Sequence, residues 1–556
     1  MSAGTRPELV VLNARIYTSD GEAGLWAEAF ACQDGTFVAV GSNAEIAALA
    51  GPDTVVRDLD GAFVLPGLSD VHAHLILGGT LEAWELPLQP TDSKEEVLGK
   101  VRAWAENLEP GEWIVGGIVG STVLDSVTYD VEALAALDEA AGGRPVLLRD
   151  DSMHNRWVNS AALAAMGVGA DTPDPEGGRY VRDDEGRLTG VLHEMASGDV
   201  EAAHDAAVAD PAARNKVSLS TALKRLNSFG ITSVQEAASM PSMFEGLSTL
   251  EDEGQVTAWV VASMPIRPFL EPGPTGTELY PIGEAHRTAH VRPDFVKVVL
   301  DGVPMTRTTA MLSPYICHDH TEDPDFRGDT LWKTQELVEA LREVTDHGLN
   351  AKLHATGDAS TRVVLDAVEQ IRAERGDDPI FQIAHTEFID PDDVPRFAAL
   401  GVVPDASPHI WYPGVIQESI GQQIPAETIE SSWPNKDLLD SGALLAAGSD
   451  WPCSLPTPNP WVGLETIVTR RNPDPAIDAV LNESQALTVA EAIAVFTANP
   501  ARAMGLEDVT GRIRTGLSAD FAILDRDLFE IPANDIHNTV VLETFFEGRQ
   551  VFSARQ

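Results

Sequence analysis

Cysteine is nearly absent: Cys32, Cys317 and Cys453 are the only three in 556 residues, far apart and odd in number. That argues against a disulfide framework, and without a CxxC pair nothing suggests a structural zinc site. Basic residues are also scarce. Lysine and arginine total 38 against 86 acidic residues, a formal net charge of −48. A surface this negative argues against nucleic acid and anionic membrane as partners. No stretch approaches the roughly 20 uninterrupted apolar residues of a membrane span. The opening MSAGTRPELVVLNARIY lacks the basic head and apolar run of a signal peptide. These absences together predict a cytoplasmic protein acting on a small molecule, its acidity serving solubility.

What is present is enough apolar residue, 44% of the chain, for a large core. Residues 8–65 read as short strands separated by Asp20-Gly21, Asp34-Gly35 and Asp60-Gly61, the dipeptides of tight hairpin turns. Residues 509–556 return to that texture, so the two chain ends are expected to pair. We divide the chain into a β domain from 1–65 and 505–556 and a larger domain at 66–504.

In the larger domain, apolar runs such as GITSVQEA, FVKVVLDG, NAKLHATGD, PIFQIAHTE, GVVPDAS and ALLAAGSD recur, several of them separated by helical stretches such as TQELVEALREVTDHG and STRVVLDAVEQIRAERG. Continuous apolar strands alternating with helices imply parallel strands covered on the outside. So many units in one chain predict an α/β fold, a (β/α)8 TIM barrel. About residues 75–200 are too long for one loop and carry their own helices, so they read as an insertion over the barrel mouth.

The sharpest chemical signal is His72-Ala73-His74 after the strand-like AFVLPG. Residues i and i+2 of a strand face the same way, so two imidazoles there can share one metal ion; two loop histidines are the plain alternative. Further ionisable residues end later apolar runs: Lys297, His354, His385 and Asp450. The C-terminal ends of barrel strands are where such enzymes place their chemistry. Imidazole and carboxylate ligands suit zinc, iron, manganese or nickel. Asp450 could take a proton from a metal-activated water and pass it on. Lys297 as an ammonium cannot ligate a metal, but as a carbamate it could bridge two; its other reading is a buried salt bridge with Asp301.

The motifs LPGLSDVHAHL, VKVVLDG, KLHATGD, QIAHTE and LLAAGSDWP, in this order and spacing, resemble the amidohydrolase superfamily. RDDSMHNRWVNSAAL, TANPARAMGL and GRIRTGLSADFAILD resemble the branch that contains N-substituted formamide deformylase and exoenzyme-like hydrolases. The resemblance covers about residues 8–550. It implies a barrel with a small β-sandwich built from both chain ends, a homodimer, and hydrolysis of a C–N bond by one or two divalent metal ions. It assigns His72, His74, carboxylated Lys297, His354, His385 and Asp450 as ligands, with Asp450 also as general base. The other readings are hydrolysis of a cyclic amide, carbamate or N-acyl amino acid, and, more remotely, a non-catalytic oligomeric scaffold.

For substrate contacts the resemblance points to His154, as a stabiliser of the developing oxyanion, with Trp157 and Asn159 beside it; Asn159 reads equally as a helix cap. His409 is a further pocket candidate. Trp113, Trp157, Trp411 and Trp451 fall in segments placed at the mouth and suggest an apolar or aromatic substrate group. Where relatives carry Gly-Trp-Asp, this chain reads GEWIVGGIVGST, which predicts a different pocket wall. His318 and His320, in an acidic loop with no preceding strand, read as solvated.

Overall fold

The computed structural model describes residues 6–21, 24–89, 91–109, 111–150, 155–175, 177–268, 273–317, 323–453 and 455–555. Two compact units divide the chain. One comprises residues 1–75 and 222–556, the other Ile76–Thr221.

The first unit is built on seven parallel strands: β1 (Leu68–Ala73), β2 (Ile231–Glu236), β3 (Trp259–Pro265), β4 (Val291–Val299), β5 (Asn350–Ala355), β6 (Phe381–His385) and β7 (Val402–Pro404). Each pairs with its neighbour in sequence order. Residues 444–451 occupy the eighth position. They pair with β7's end through Asp405 and Ala446 and with β1 through Ala73 and Trp451. Val71 and Asp450 add backbone N–H bonds, to the carbonyls of Ala447 and His72 respectively. The sheet therefore curls into a closed eight-membered barrel, as the alternation of apolar runs and helices predicts.

Helices cover it for the expected reason. In Thr334–Asp346 the buried residues are Leu337, Val338, Leu341 and Val344, one stripe of a 3.6-residue repeat. Asp358–Arg375 buries Val364, Leu365, Val368 and Ile371 in the same way.

Both chain ends contribute to a pair of sheets in this unit. Thr36–Gly41, Ala29–Gln33, Leu9–Leu12 and Val55–Asp58 form one sheet. In the other, the N-terminal Phe63–Pro66 lies antiparallel to the C-terminal Phe521–Leu524. Val11, Phe30, Phe37, Val64, Phe521 and Phe545 fill the shared core.

The second unit has a six-stranded sheet of its own, running from Gly178–Arg182 at one edge to Leu86–Pro87 at the other. Val97, Leu137, Leu148 and Trp157 belong to its core. It extends past the expected limit at residue 200 because the helix Pro211–Ser228 supplies Ser218, which hydrogen-bonds Thr80 and Trp84. Among the described residues, no helix is long and apolar enough to cross a membrane.

Candidate metal centre

His72 and His74 lie two residues apart at the C-terminal end of β1, and the pleat sends both rings into the barrel mouth. Asp450 lies across the closure with a left-handed φ of 56°. Its Oδ1 is 3.4 Å from His72 Nε2 and 3.5 Å from His74 Nε2. Among the described residues these three form a group whose ligand atoms all lie within 4.8 Å of one another. They are buried or nearly so, and two imidazoles with one carboxylate make a donor set suited to a divalent ion.

The other predicted ligands converge on the same place. Lys297 Nζ on β4 is 3.2 Å from His72 Nε2. The His385 ring lies 4.7 Å from that of His72 and 4.7 Å from that of His354. His385 Nδ1 meets Ser407 Oγ at 3.0 Å, and His354 Nε2 meets the Gly302 carbonyl at 3.1 Å. Asp301, the acid considered as a salt-bridge partner for Lys297, instead accepts N–H bonds from Ala310, Thr356 and Gly357 and the Ser360 hydroxyl.

Behind the ligands is a set of groups that the sequence did not mark. Asp405 Oδ2 is 3.3 Å from His72 Nδ1 and 3.3 Å from Lys352 Nζ. A carboxylate can only accept, so the His72 proton is held on Nδ1 and the Nε2 lone pair is left for a metal. Glu236, at the end of β2, approaches His74 Nδ1 at 3.7 Å and also accepts the Leu75 N–H. Asp70 accepts from the His72 amide and from Ser449. Cys453 adds a side-chain hydrogen bond to His74. One signal could have found Lys352: it stands two residues before His354, on the same inward face of β5.

Burial and charge set the protonation of the cluster. Burial opposes ionisation of Asp450, but the hydrogen bond from His74 and the nearby cations hold it down to about 2. Burial likewise opposes charge on His74, where Asp450 and Cys453 win and raise it to about 10. Lys297 is drawn down to about 8, first by burial and then by the Lys352 ammonium. Burial, with Lys297 and Lys352, carries His72 well below the imidazole range, so its ring is neutral and able to ligate.

The predicted substrate contacts separate into two groups. His409 is buried in the barrel unit, its Nε2 2.8 Å from the Asn459 carbonyl, and burial draws its pKa down to about 4 against the smaller upward pull of that carbonyl and of Asp450. Trp451 is buried beside Ala73. Trp113, Trp157 and Asn159 belong to the other unit. There Trp157 is wholly buried core, and Trp113 packs edge-on to His204 at 5.7 Å. The Asn159 amide is fully committed: Oδ1 accepts from Val146 and Ala162, and Nδ2 donates to the Arg144 carbonyl. Asn159 thus caps the helix Ser160–Ala165, the second of its two sequence readings. His154, His318 and His320 lie outside the described residues.

The chain was compared with known proteins. The sequence profile of the amidohydrolase family matches residues 55–552. The putative amidohydrolase YtcJ of Bacillus subtilis (strain 168) is 28% identical over 537 residues, 96% of this chain and 97% of that protein. The N-substituted formamide deformylase of Arthrobacter pascens is 26% identical over 555 residues, covering 97% of each. Among solved structures, an uncharacterized metal-dependent hydrolase of Pyrococcus horikoshii OT3 shares the fold with a TM-score of 0.75 at 21% identity, over 94% of this chain and 99% of that one.

Proposed function

The chain belongs to the amidohydrolase family, and from that membership we propose that it hydrolyses an amide-type C–N bond with the help of one or two divalent metal ions, zinc being the first candidate. The observation that carries this reading is the buried His72–His74–Asp450 group. His72 and His74 would hold the ion with Asp450, and His354, His385 and a carboxylated Lys297 would complete a second position. A divalent ion bound there supplies Lewis acidity, polarising an amide carbonyl and lowering the pKa of water to about 7.

The chain's own residues do the rest. Asp450, kept ionised, accepts the proton of the attacking water and returns it to the leaving nitrogen. Asp405 fixes the orientation of the His72 imidazole, and the Glu236 carboxyl lies 3.7 Å from His74 Nδ1. Lys297, buried and with its pKa drawn down to about 8, has a larger neutral fraction than an ordinary lysine, and that free amine can add CO2 and release a proton, leaving a carbamate. Intact-protein mass spectrometry under native conditions would read that adduct, and a Lys297 that stays unmodified with the metal sites filled would refute it.

The finer proposal is an N-substituted formamide, giving an amine and formate. Its support is the name of the Arthrobacter relative, which aligns over nearly the whole chain. The test is amine and formate release from N-benzylformamide by zinc-loaded enzyme, with a chelated control. Chelator-sensitive turnover supports it. No turnover in a metal-loaded sample discards the formamide and moves the search to other amides and carbamates.

A further inference from the structure

On the outside of the barrel, the helices Tyr280–Ala285 and Thr334–Asp346 border a cavity of about 230 Å3. Its lining includes Tyr280, Trp332, Glu339, Glu343, Ile266 and Val344, none of them a proposed metal ligand. Glu339 and Glu343 are exposed, so the cavity is open to solvent.

The longer helix already holds cations along this face. Glu336, Glu339 and Glu343 stand three and four residues apart and therefore lie on one side. Glu336 pairs with Arg267, whose guanidinium sits 3.4 Å from the centre of the Trp332 ring. At the helix end Asp346 pairs with Arg375. Among the described residues neither Glu339 nor Glu343 makes an ion pair, and Arg342 beside them is taken by Glu374. Two like charges at this spacing repel. With 86 acidic residues against 38 basic ones, however, unpaired surface glutamates are ordinary in this chain, and the pair alone marks nothing.

Tyr280 is what marks the place. It is only 6% exposed, it lines the cavity, and its hydroxyl has no hydrogen-bond partner. A buried tyrosine hydroxyl ordinarily finds one. Burial and the charge of Glu343 push its pKa up, so the phenol keeps its proton and its oxygen has lone pairs to offer. The His347 ring packs edge-on against it at 5.3 Å and holds it in position.

We propose that this cavity is a binding site for a small primary ammonium ion with a short apolar stem. The three N–H donors of an ammonium match three acceptors: the carboxylates of Glu339 and Glu343 and the Tyr280 oxygen. Ile266, Val344 and Trp332 give the stem an apolar surface. The arrangement repeats, one turn along the helix, what Glu336 and Trp332 do for the chain's own Arg267. The site goes beyond the hydrolase reading and stands without it. The opposing reading is a packing gap rimmed by two solvated glutamates.

Binding separates the two readings without turnover. Saturation-transfer NMR would compare n-butylammonium with neutral n-butanol on zinc-loaded and chelated wild type and on Glu343→Gln, Tyr280→Phe and Asp377→Asn. Asp377 is a fully exposed carboxylate outside the cavity, so its variant removes the same charge as Glu343→Gln elsewhere on the surface. We expect the ammonium to bind wild type at least about tenfold tighter than the alcohol, as charge-assisted hydrogen bonds imply. That preference should survive chelation and Asp377→Asn, and largely disappear in Glu343→Gln. Tyr280→Phe should weaken the ammonium about threefold without lowering the melting temperature, because the hydroxyl it removes has no partner inside the protein. Equal binding of the two probes by wild type overturns the proposal. So does a preference lost on chelation, which would place the amine at the metal centre, or equal losses in Glu343→Gln and Asp377→Asn, which would reduce it to diffuse surface charge. Displacement of the ammonium by an equal concentration of calcium overturns it in favour of a hard cation. An undiminished affinity in Tyr280→Phe removes the hydroxyl and with it the site. Absence of amide turnover in a protein that passes these tests would sink the hydrolase reading alone.

Discussion

Ser449 donates its hydroxyl to Asp70 Oδ2 at 2.5 Å, joining two residues 379 positions apart. Asp70 precedes the two β1 histidines and Ser449 precedes Asp450, so one hydrogen bond clamps the barrel closure directly beneath the proposed metal ligands. Asp70 also accepts the backbone N–H groups of Ser449 and His72.

Ser449→Ala removes two hydrogen bonds, the one to the buried Asp70 carboxyl and the one from the Trp451 N–H, and should cost about 2 kcal/mol. Asp70→Ala strands three donors and should cost about 3 kcal/mol or more. Urea unfolding monitored by tryptophan fluorescence checks both. Equal, negligible losses would show that the seam is held by backbone pairing alone.

Asp405→Asn should weaken metal binding by roughly 10- to 100-fold, because the group that orients His72 and fixes its proton is replaced by an amide. Competition against a chromogenic chelator measures this. Asn can still accept from the Gly448 and Ser407 amides that Asp405 now serves, but the buried Lys352 loses its carboxylate, so the comparison is made at a temperature where the less stable variant remains folded. Unchanged metal affinity would remove Asp405 from the positioning role.

Asp450→Asn should largely keep the metal and lower turnover by at least about 100-fold, the usual contribution of a general base. His72→Ala should instead lose metal and activity together. Metal content and rate, measured on the same preparations, distinguish the two. Full turnover by Asp450→Asn would assign the base elsewhere.

His290 gives a test of pH dependence away from the site. Its Nδ1 meets Glu251 at 2.9 Å and its Nε2 meets Glu547 at 3.2 Å. Burial opposes its charge, but the two carboxylates raise its pKa above the ordinary imidazole value. A group whose folded pKa is raised holds its proton more tightly in the native state. Its stabilisation is therefore complete below about pH 6.5 and is lost as pH rises through the raised value. Melting temperature followed from pH 6 to 9 should fall more steeply in wild type than in His290→Gln. Parallel curves would show that the pair contributes nothing.

The barrel, and the gathering of its ionisable residues in one place, were legible for a local reason. A strand's two-residue period places His72 with His74, and one ionisable residue ends each of several apolar runs. Asp405 and Glu236 were not legible, and Lys352 only by its position two residues before His354, because their roles arise only when strands distant in sequence close into a ring. Each is a buried charge whose partner lies on another strand, and no spacing rule links Lys352 to Asp405. Asn159 shows the opposite case. One local pattern, Asn-Ser before an alanine-rich helix, supports both a cap and a substrate contact, and only the Val146 and Arg144 hydrogen bonds reveal that its side chain is occupied. The compact unit ends at Thr221 rather than near residue 200, because texture marks where helices begin and not which body they pack against.

The pairing of Phe63–Pro66 with Phe521–Leu524 has a consequence for biosynthesis. Phe63, Val64 and Leu65 emerge from the ribosome early, but the strand that covers them comes more than 450 residues later. At about 5–20 residues per second the wait lasts from roughly 20 seconds to a minute and a half. For that interval the nascent chain carries an unmatched apolar edge, of the kind that recruits chaperones or aggregates. A chain shortened by its final strands would keep its proposed metal ligands and lack that cover, so its failure would appear as insolubility rather than as a chemical defect.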